Sequence, residues 1–352
     1  MDNIVISGIQ QVGVGVANMP EAWKWYRRYF GMDICIFEEE AQAKLMLPYT
    51  GGEPRSRHAA LALNMQGGGG FEIWQYKGRT PEAPEHPIKL GDYGIFAAKI
   101  KCRNVKQIYD YYISEGLKVT TLTKDPQGMD TFFVIDPYNN YFQLVSANDW
   151  FKDENKLTGA AYGALIGVSN IEKSKTFYKE ILGYDEVVYD TTDVFSDLTD
   201  IPGGKHLFRR ILLKHSKPRI GAFSPILGNS QVELFEVADR DANSVFENRF
   251  WGDLGFIHLC FDINGMSELR EKCKTFGCPF TVDSSNVFDM GEAAGHFSYI
   301  EDPDGTLIEF VETHKVPIMK KFGWYLNLQK RDPRKALPRW MLKALSFNRV
   351  KD

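Results

Sequence analysis

The stretch GALIGVSNIEKSKTFYKEILGY, residues 163–184, decides the fold because its order of patterns occurs again elsewhere in the chain. Its alternating apolar residues predict a half-buried strand. Asn170 can cap the free amides at a helix start, and Gly183 tolerates the left-handed turn after a helix. The segment QVGVGVANMPEAWKWYRRYFGM, residues 11–32, has the same order of strand, Asn, amphipathic helix and Gly. Each segment therefore predicts a strand followed by a capped helix.

The two helices also share an aromatic pair, Trp25-Tyr26 in one and Phe177-Tyr178 in the other. Weaker copies of strand and helix span residues 96–117 and 256–277, and apolar runs that predict further strands follow the helices. Because self-similarity is the mark of repeated units, the chain is predicted to contain four modules, each with a strand, a helix and several more strands.

Turn sequences indicate how the strands connect. Asp136-Pro137 and the run 302–305 (Asp-Pro-Asp-Gly) lie between apolar runs and predict hairpins. The run Gly67–Gly70 lacks the Lys and helix of a phosphate loop and is interpreted as a flexible hairpin connection. Hairpins with helices outside predict the α+β class. The predicted domains are 1–154 and 155–314, with two modules each, and a basic tail, 315–352.

The composition is that of a soluble domain protein, with 43% hydrophobic and 25% charged residues. A formal net charge of -4 gives no reason to expect nucleic acid as a partner. Five scattered cysteines without a CxxC pair predict neither a disulfide framework nor a zinc ribbon, and they fit a reducing compartment. The first residues lack a signal-peptide pattern, and no run of about eighteen apolar residues occurs, so a cytoplasmic location is expected.

The runs VANMPEAWKWYRRYFGM, VSNIEKSKTFYKEILGY and EDPDGTLIEFVE resemble the vicinal-oxygen-chelate superfamily. That superfamily includes glyoxalase I, methylmalonyl-CoA epimerase, extradiol dioxygenases, and fosfomycin and bleomycin resistance proteins. The resemblance covers roughly residues 6–313 and implies four βαβββ modules that pair into two cupped mixed sheets. In this superfamily each module can offer a metal ligand at the start of its first strand and another in the middle of its last strand.

At those positions the resemblance implies Gln11 and Glu72 in the first module, and His258 and Glu309 in the fourth. The two glutamates interrupt apolar strands, where a buried carboxylate is costly unless a cation or hydrogen bonds compensate it. The set resembles the ligands of glyoxalase I. It implies one bound divalent metal ion, and Zn, Ni, Co, Mn and Fe(II) all suit these donor types.

At the same positions the second module has Ala97 and Gln143, and the third has Gly163 and Glu233. Ala97 and Gly163, at the starts of the first strands, have no side chain that could bind a metal. Pairing modules one with two and three with four, as in extradiol dioxygenases, would leave both cups with incomplete ligand sets. Pairing one with four and two with three, as in single-chain two-cup glyoxalases, gathers the four ligands in one cup and is favoured. Glu233 would then point into a vacant cup lined by Arg209 or Arg210.

The ligand set implies a metal-dependent lyase or isomerase of glyoxalase type. A metal ion can stabilise an enediolate formed from a small carbonyl compound or its thiol adduct. Glu309, or Glu72 from the opposite face, is the candidate base. An Fe(II) extradiol-type dioxygenase stays open as an alternative. It needs a second imidazole, which the superfamily would place where Gly163 stands and which His296 could replace. A non-catalytic resistance-type protein that binds a small molecule also stays open.

The tail is rich in Lys and Arg, and residues 338–347 predict a short amphipathic helix. Contact with a membrane surface or a partner is one interpretation. The favoured one is a basic strap that packs Trp324, Trp340 and Met341 onto the acidic body. A small molecule is the expected partner of the protein, and no oligomeric state is predicted.

Overall fold

A computed structural model describes residues 4–284, 289–290, 293–319 and 324–351 of the chain. The first module consists of β1 (Val5–Gly15), α1 (Met19–Phe30), β2 (Ile34–Ala43), β3 (Arg55–Leu63) and β4 (Gly70–Lys77). The second consists of β5 (Gly94–Cys102), α2 (Val105–Ser114), β6 (Thr123–Lys124), β7 (Asp130–Ile135) and β8 (Tyr141–Ser146).

The third module consists of β9 (Thr158–Gly167), α3 (Ile171–Leu182), β10 (Glu186–Asp193), β11 (Phe208–Lys214), α4 (Ser224–Leu227) and β12 (Gln231–Val237). The fourth consists of β13 (Gly255–Asn264), α5 (Met266–Phe276), β14 (Val282–Asp283), β15 (Asp289–Met290), β16 (Ala293–Glu301) and β17 (Leu307–Thr313). The tail contains β18 (Lys315–Met319), β19 (Trp324–Asn327), α6 (Arg339–Lys343) and a 3-10 segment (Ala344–Asn348).

Local sequence sets the ends of the module helices. Asn18 and Asn170 have extended backbones, and their side chains accept hydrogen bonds from the amides three residues later. α1 and α3 end at Gly31 and Gly183, which adopt the left-handed conformation. The cap residues that the sequence predicted are therefore the ones that bound these helices.

The sheets join the first module to the fourth and the second to the third. One sheet has the order β14-β16-β17-β13-β1-β4-β3-β2, with β15 beside β16, and is called here the terminal cup. The other, the central cup, has the order β10-β11-β12-β9-β5-β8-β7-β6. The predicted α+β class with two cupped mixed sheets is confirmed, and the strand order has the favoured pairing of modules. Each cup thus takes one module from residues 1–154 and one from 155–314.

At the centre of each cup the first strands of two modules lie antiparallel, β1 beside β13 and β5 beside β9. Each of these strands is also parallel to the last strand of its own module. Since those are the strands on which the superfamily places ligands, this topology brings all the candidate positions of a cup to its centre.

The aromatic pairs and Asp-Pro turns of the sequence connect the two cups. Tyr26 of α1 donates a 2.6 Å hydrogen bond to Oδ2 of Asp136, in the turn between β7 and β8. Tyr178 of α3 makes the equivalent 3.0 Å bond to Asp302, between β16 and β17. Both tyrosines are fully buried. The same pair of motifs therefore ties the two cups together twice.

The glycine-rich connection joins the antiparallel strands β3 and β4, as the hairpin interpretation requires, and its residues are buried. The amides of Gly68 and Gly69 donate 2.8 Å hydrogen bonds to the carbonyl oxygens of Ile226 and Ala161 in the third module. A Cβ atom on Gly68 would lie 2.8 Å from the Ala161 oxygen. Glycine is needed here because the cups approach closely.

The tail lies across the body as a strap. Leu342 is 2% exposed and packs in a cluster with Ile34 and Phe151, to which the half-buried Met341 also belongs. Arg349 pairs with Asp33 and, at 2.7 Å, with Glu154. The strap predicted from the sequence is therefore formed by apolar packing and ion pairs.

One part of the strap prediction was wrong. Trp340 is 64% exposed and does not pack on the body. For Trp324 the structure describes the backbone only, so this part of the prediction lies outside what is described. Among the residues that the structure describes, no helix is both long and apolar enough to span a membrane.

Replacing Tyr26 by Phe is expected to lower the free energy of unfolding by roughly 1–3 kcal/mol, because it removes a buried hydrogen bond to a carboxyl group. Tyr178→Phe should have a similar effect, and urea denaturation measures both. Tyr109→Phe, at a half-buried ring on α2, is the control and should change stability little. If Tyr26→Phe and Tyr109→Phe were equally stable, the tie between the cups would not contribute to stability.

Candidate metal centre

Four side chains from four strands meet at the centre of the terminal cup. Gln11 lies on β1, Glu72 on β4, His258 on β13 and Glu309 on β17. In the strand ladders Gly13 of β1 is opposite both His258 and Glu72. The register of β1 with β13 therefore unites residues from the two ends of the chain, and all four predicted site residues are brought together.

The polar atoms of these residues form a compact cluster. Nε2 of His258 lies 3.1 Å from Oε2 of Glu309 and 3.4 Å from Oε2 of Glu72. Nε2 of Gln11 lies 3.1 Å from the same oxygen of Glu309 and 3.3 Å from that of Glu72. All four residues are buried, and Glu72, at 8%, is the most exposed of them.

Mutual electrostatics decide the protonation of this cluster. Burial, followed by the charge of Glu309, raises the pKa of Glu72. Burial also disfavours a charged Glu309, but the attraction of His258 outweighs it and lowers the pKa of Glu309. For His258 burial opposes the cation, yet the charges of Glu309 and Glu72 outweigh burial and raise the pKa. The two carboxylates therefore favour a positive charge between them.

The donor set fits a divalent cation. Oε1 of Gln11 and both ring nitrogens of His258 are buried without a hydrogen-bond partner. The short distance from Nε2 to Glu309 is thus a charge contact rather than an aligned hydrogen bond. Buried polar atoms are normally satisfied, so unpartnered ones call for an explanation such as an ion. One ligand atom each from Glu72, His258 and Glu309 falls within a span of 4.8 Å.

Gly13 makes room for the imidazole. A Cβ atom at residue 13 would lie 2.5 to 2.8 Å from three atoms of the His258 ring. Real Cβ atoms do not approach ring atoms so closely, so the imidazole occupies space that only a glycine leaves free. The requirement for glycine at this position follows from the strand register, which the sequence alone does not reveal.

Three neighbours of the cluster were not predicted as site residues. Cys260 and Tyr299 interact with the carboxylate of Glu309 and help to lower its pKa. Trp251 stacks on His258, with ring centres 6.4 Å apart and planes 13° apart. Cys260 lies two residues after His258 on the same strand and therefore on the same face. Tyr299 and Trp251 come from other segments and carry no sequence signal for this role.

A cavity of about 530 Å³ lies over the cluster, with Glu72 and Glu309 in its wall. Trp251, Tyr299 and the chain from residue 41 to 46 also line it. Cavities of this size hold small molecules. A substrate in this cavity would contact both carboxylates directly.

The central cup holds a lysine where the terminal cup has its cluster. Nζ of Lys99 lies 2.5 Å from Oε2 of Glu233 and donates a 2.8 Å hydrogen bond to Oε1 of Gln143. Nε of Arg210 donates to the other oxygen of Glu233, and Nη1 of Arg210 is 2.9 Å from Asp197. Burial would raise the pKa of Glu233, but the charges of Arg210 and Lys99 outweigh it and lower the pKa to about 2. Protein cations therefore compensate Glu233.

The strand register explains this difference between the cups. Lys99 is opposite Gly163, just as Gly13 is opposite His258, so the large side chain and the glycine have exchanged strands. Gly163 and Ala97 offer no ligand side chain, as the sequence indicates. The register thus puts an ammonium group in the central cup where the terminal cup has an imidazole.

The structure distinguishes between the two arginines expected near the central cup, and it separates His296 from the candidate ligands. Arg210 lines the central cup, whereas Arg209 points away from it and pairs with Asp190 and Glu172. His296 lies 2.6 Å from Asp283 and is not among the ligand atoms that converge in the terminal cup. Among the described residues, the converging set therefore contains a single imidazole.

Comparison with known proteins agrees with the architecture. The family model described as Glyoxalase/Bleomycin resistance protein/Dioxygenase superfamily matches residues 162–310. A lactoylglutathione lyase from Schizosaccharomyces pombe is 21% identical over 322 residues, which cover 85% of this chain and 94% of the relative.

Solved structures show the same fold. Glyoxalase I from Zea mays superimposes with a TM-score of 0.56 at 14% identity, covering 87% of this chain and 92% of the other. A candidate dioxygenase from Bacillus subtilis gives a TM-score of 0.56 at 11% identity, covering 99% and 97% of the two chains. At these identities the likeness speaks for the fold alone.

Gly13→Ala is expected to displace the His258 ring and to weaken the binding of a divalent metal at least tenfold, while every candidate ligand is retained. Loss of a well-placed supporting contact typically costs about 10- to 100-fold in metal affinity. Competition titration with a chromogenic chelator measures the affinity, and thermal unfolding checks that the variant is folded. Unchanged affinity in a folded variant would contradict the role of Gly13.

Lys99→Met is expected to lower the free energy of unfolding by roughly 3 kcal/mol, because it removes one partner of a buried ion pair. The double variant Lys99→Met/Glu233→Gln should lose less than the sum of the two single changes. The pKa of Glu233 is lowered in the folded state, so its stabilising effect is present above pH 4.5 and is lost as the pH falls toward 2. Urea denaturation should therefore show that the free energy of unfolding falls less over that pH range in the double variant than in the wild type. Additive losses would contradict the pairing.

Proposed function

We propose that the protein is a metal-dependent lyase or isomerase of glyoxalase type, because residues 162–310 match the family model of the glyoxalase, bleomycin resistance protein and dioxygenase superfamily and the chain is similar in fold to glyoxalase I. Its substrate is a small carbonyl compound or the thiol adduct of one. The observation that carries the proposal is the cluster of Glu72, His258 and Glu309 beside Gln11, at the wall of a cavity of small-molecule size.

The proposed metal ligands are Gln11, Glu72, His258 and Glu309. Gln11 would bind through Oε1, with its amide turned from the orientation in which Nε2 faces the carboxylates. When bound, a divalent ion would polarise the substrate carbonyl and stabilise negative charge on its oxygen. Binding would also replace the positive charge that His258 provides within the cluster.

The two carboxylates are held differently, which supports different roles. Glu309 interacts with Cys260 and Tyr299 in addition to His258, and its pKa is lowered. Glu72 lies on β4, which β1 and β13 separate from β17, the strand of Glu309. Burial together with the charge of Glu309 raises the pKa of Glu72. A carboxylate with a raised pKa holds a proton more readily, which a general base needs. Glu72 is therefore proposed as the weakly held ligand that loosens to act as the base, and Glu309 as the ligand on which metal binding depends.

In the proposed isomerisation the Glu72 carboxylate removes a proton from the carbon next to the substrate carbonyl. That carbon bears a hydroxyl group, as it does in a hemithioacetal. Glu72 returns the proton to the former carbonyl carbon, while the hydroxyl proton passes to the former carbonyl oxygen. The hydroxyl-bearing carbon thereby becomes the carbonyl of the product, and no atom or electron is gained or lost. Burial of Glu72 would limit exchange of this proton with water.

The single imidazole of the cluster favours this chemistry over oxygen activation. A non-haem iron dioxygenase of the usual kind holds Fe(II) with two histidines and one carboxylate. In the described structure His296 is instead close to Asp283. The cluster with two carboxylates and one imidazole therefore supports proton transfer better than a reaction with oxygen.

The test compares Glu72→Gln with Glu309→Gln. The assay follows conversion of the hemithioacetal of methylglyoxal and glutathione, and elemental analysis counts bound metal. Glu72→Gln is expected to retain one metal ion per chain but to lose about 10²- to 10⁴-fold in kcat, the range typical for loss of a general base. Glu309→Gln is expected to lose metal and activity together. Chelation should abolish wild-type activity, and a divalent metal should restore it.

Glu40→Gln, an exposed change on β2, is the matched control and should keep both metal and activity. The assay is repeated with methylglyoxal alone and with other thiols, so that the thiol requirement is tested separately from the metal chemistry. Wild-type protein without bound metal, or full activity in both Glu72→Gln and Glu309→Gln, would overturn the proposal.

A further inference from the structure

The outer side of the tail presents two large apolar side chains to solvent. Trp340 is 64% exposed and Phe347 is 90% exposed, the two highest values among the large apolar side chains described. They lie on α6 and on the 3-10 segment that follows it, with the exposed Lys343 between them. Exposed aromatic rings of this size are unfavourable in water unless something covers them.

This exposure occurs in a segment that is firmly attached. On its inner side Leu342 is buried against the body, and Arg339 donates a hydrogen bond to the carbonyl oxygen of Phe151. Arg349, just after the 3-10 segment, pairs with Glu154 at 2.7 Å. The segment is thus anchored at both ends, and its aromatic side chains project outward from a fixed support.

The charge of the tail is opposite to that of the body. Residues 315–352 contain eleven Lys and Arg but two Asp, so that they carry a formal charge of about +9 within a chain whose total is -4. Exposed cations in the outer part of the tail include Arg334, Lys335, Lys343 and Lys351. The aromatic rings are therefore surrounded by positive charge, while the acidic residues belong almost entirely to the rest of the chain.

We propose that the outer face of the tail, formed by Trp340, Lys343 and Phe347, docks on the surface of a bilayer that contains anionic lipid. Amphipathic segments with Lys or Arg beside Trp and Phe lie at the level of lipid headgroups and bury their rings there. Each cation near an anionic surface contributes about 1 kcal/mol, or roughly a fivefold change in binding.

A lipid surface suits this face better than a protein partner. Protein interfaces have a continuous apolar patch at their centre. Here the exposed Lys343 lies between the two aromatic residues in the sequence, and a bilayer accepts separate rings because each can enter between headgroups independently. The basic charge of the tail provides complementarity to anionic headgroups and none to neutral ones.

Docking would leave the cavity of the terminal cup accessible. The tail meets β2 at Ile34, which bridges to Arg349, whereas Ala43 at the other end of β2 lines the cavity. A ten-residue strand is roughly 30 Å long. The lipid-binding surface is therefore remote from the metal centre, and its test does not depend on the proposed enzymatic function.

The experiment measures sedimentation of the full chain with vesicles of phosphatidylcholine containing 30% phosphatidylserine, and with pure phosphatidylcholine vesicles. The protein is expected to bind the anionic vesicles only, and less in high salt. The double variant Trp340→Ala/Phe347→Ala is expected to bind at least tenfold more weakly, and Lys343→Glu roughly fivefold or more. Because these positions are exposed, the variants should keep the wild-type unfolding temperature.

Ile113→Ala, at a side chain on α2 that is 51% exposed, is the matched control and should bind like the wild type. Failure of the wild type to bind anionic vesicles would overturn the proposal, as would vesicle binding that the double variant leaves unchanged. Absence of vesicle binding together with self-association that the double variant abolishes would assign this face to a second copy of the chain instead.

Discussion

The antiparallel pairing of β1 with β13 is the contact on which the candidate site depends. It joins the first strand of the first module to the first strand of the last, and it brings Gln11 within 3.1 Å of Glu309, 298 positions away in the sequence. Each of the two strands carries the last strand of its own module alongside it. A shift of one residue in this register would turn Gln11 or His258 to the other face of the sheet. The glycine at position 13, under the imidazole, is part of the same constraint.

Both cups contain buried carboxylates, and their negative charge is compensated differently in each. A carboxylate in the middle of an apolar sheet must be compensated by positive charge. In the central cup Lys99 and Arg210 provide that charge for Glu233. In the terminal cup the compensation comes from His258 within the cluster, while Oε1 of Gln11 and the ring nitrogens stay without hydrogen bonds. In the central cup, protein side chains alone compensate the charge of Glu233. In the terminal cup, Oε1 of Gln11 and the two ring nitrogens of His258 are left as atoms that could bind a cation.

Much of this arrangement could be predicted from sequence because the signals are local or repeated. Asn18, Asn170, Gly31 and Gly183 mark helix ends by their own backbone chemistry, and four copies of one pattern predict the modules. The favoured pairing of modules follows because the four candidate ligands, Gln11, Glu72, His258 and Glu309, all lie in the first and fourth modules. Lys99, Tyr299 and Trp251 could not be assigned roles in this way, because their positions depend on register and on segments that approach only in the folded chain. Trp340 was expected to pack because it is apolar, yet the strap uses Leu342 on its inner side instead.

The central claim is that one divalent metal ion is bound in the terminal cup by residues from both ends of the chain. Anomalous diffraction from crystals of metal-loaded protein tests it most directly, because it locates the ion relative to named side chains. We expect a single strong peak at about 2.0–2.2 Å from a ring nitrogen of His258 and from carboxylate oxygens of Glu72 and Glu309. A map with no peak at this position, or with its strongest peak beside Glu233 in the central cup, would show that the terminal cup is not the metal site.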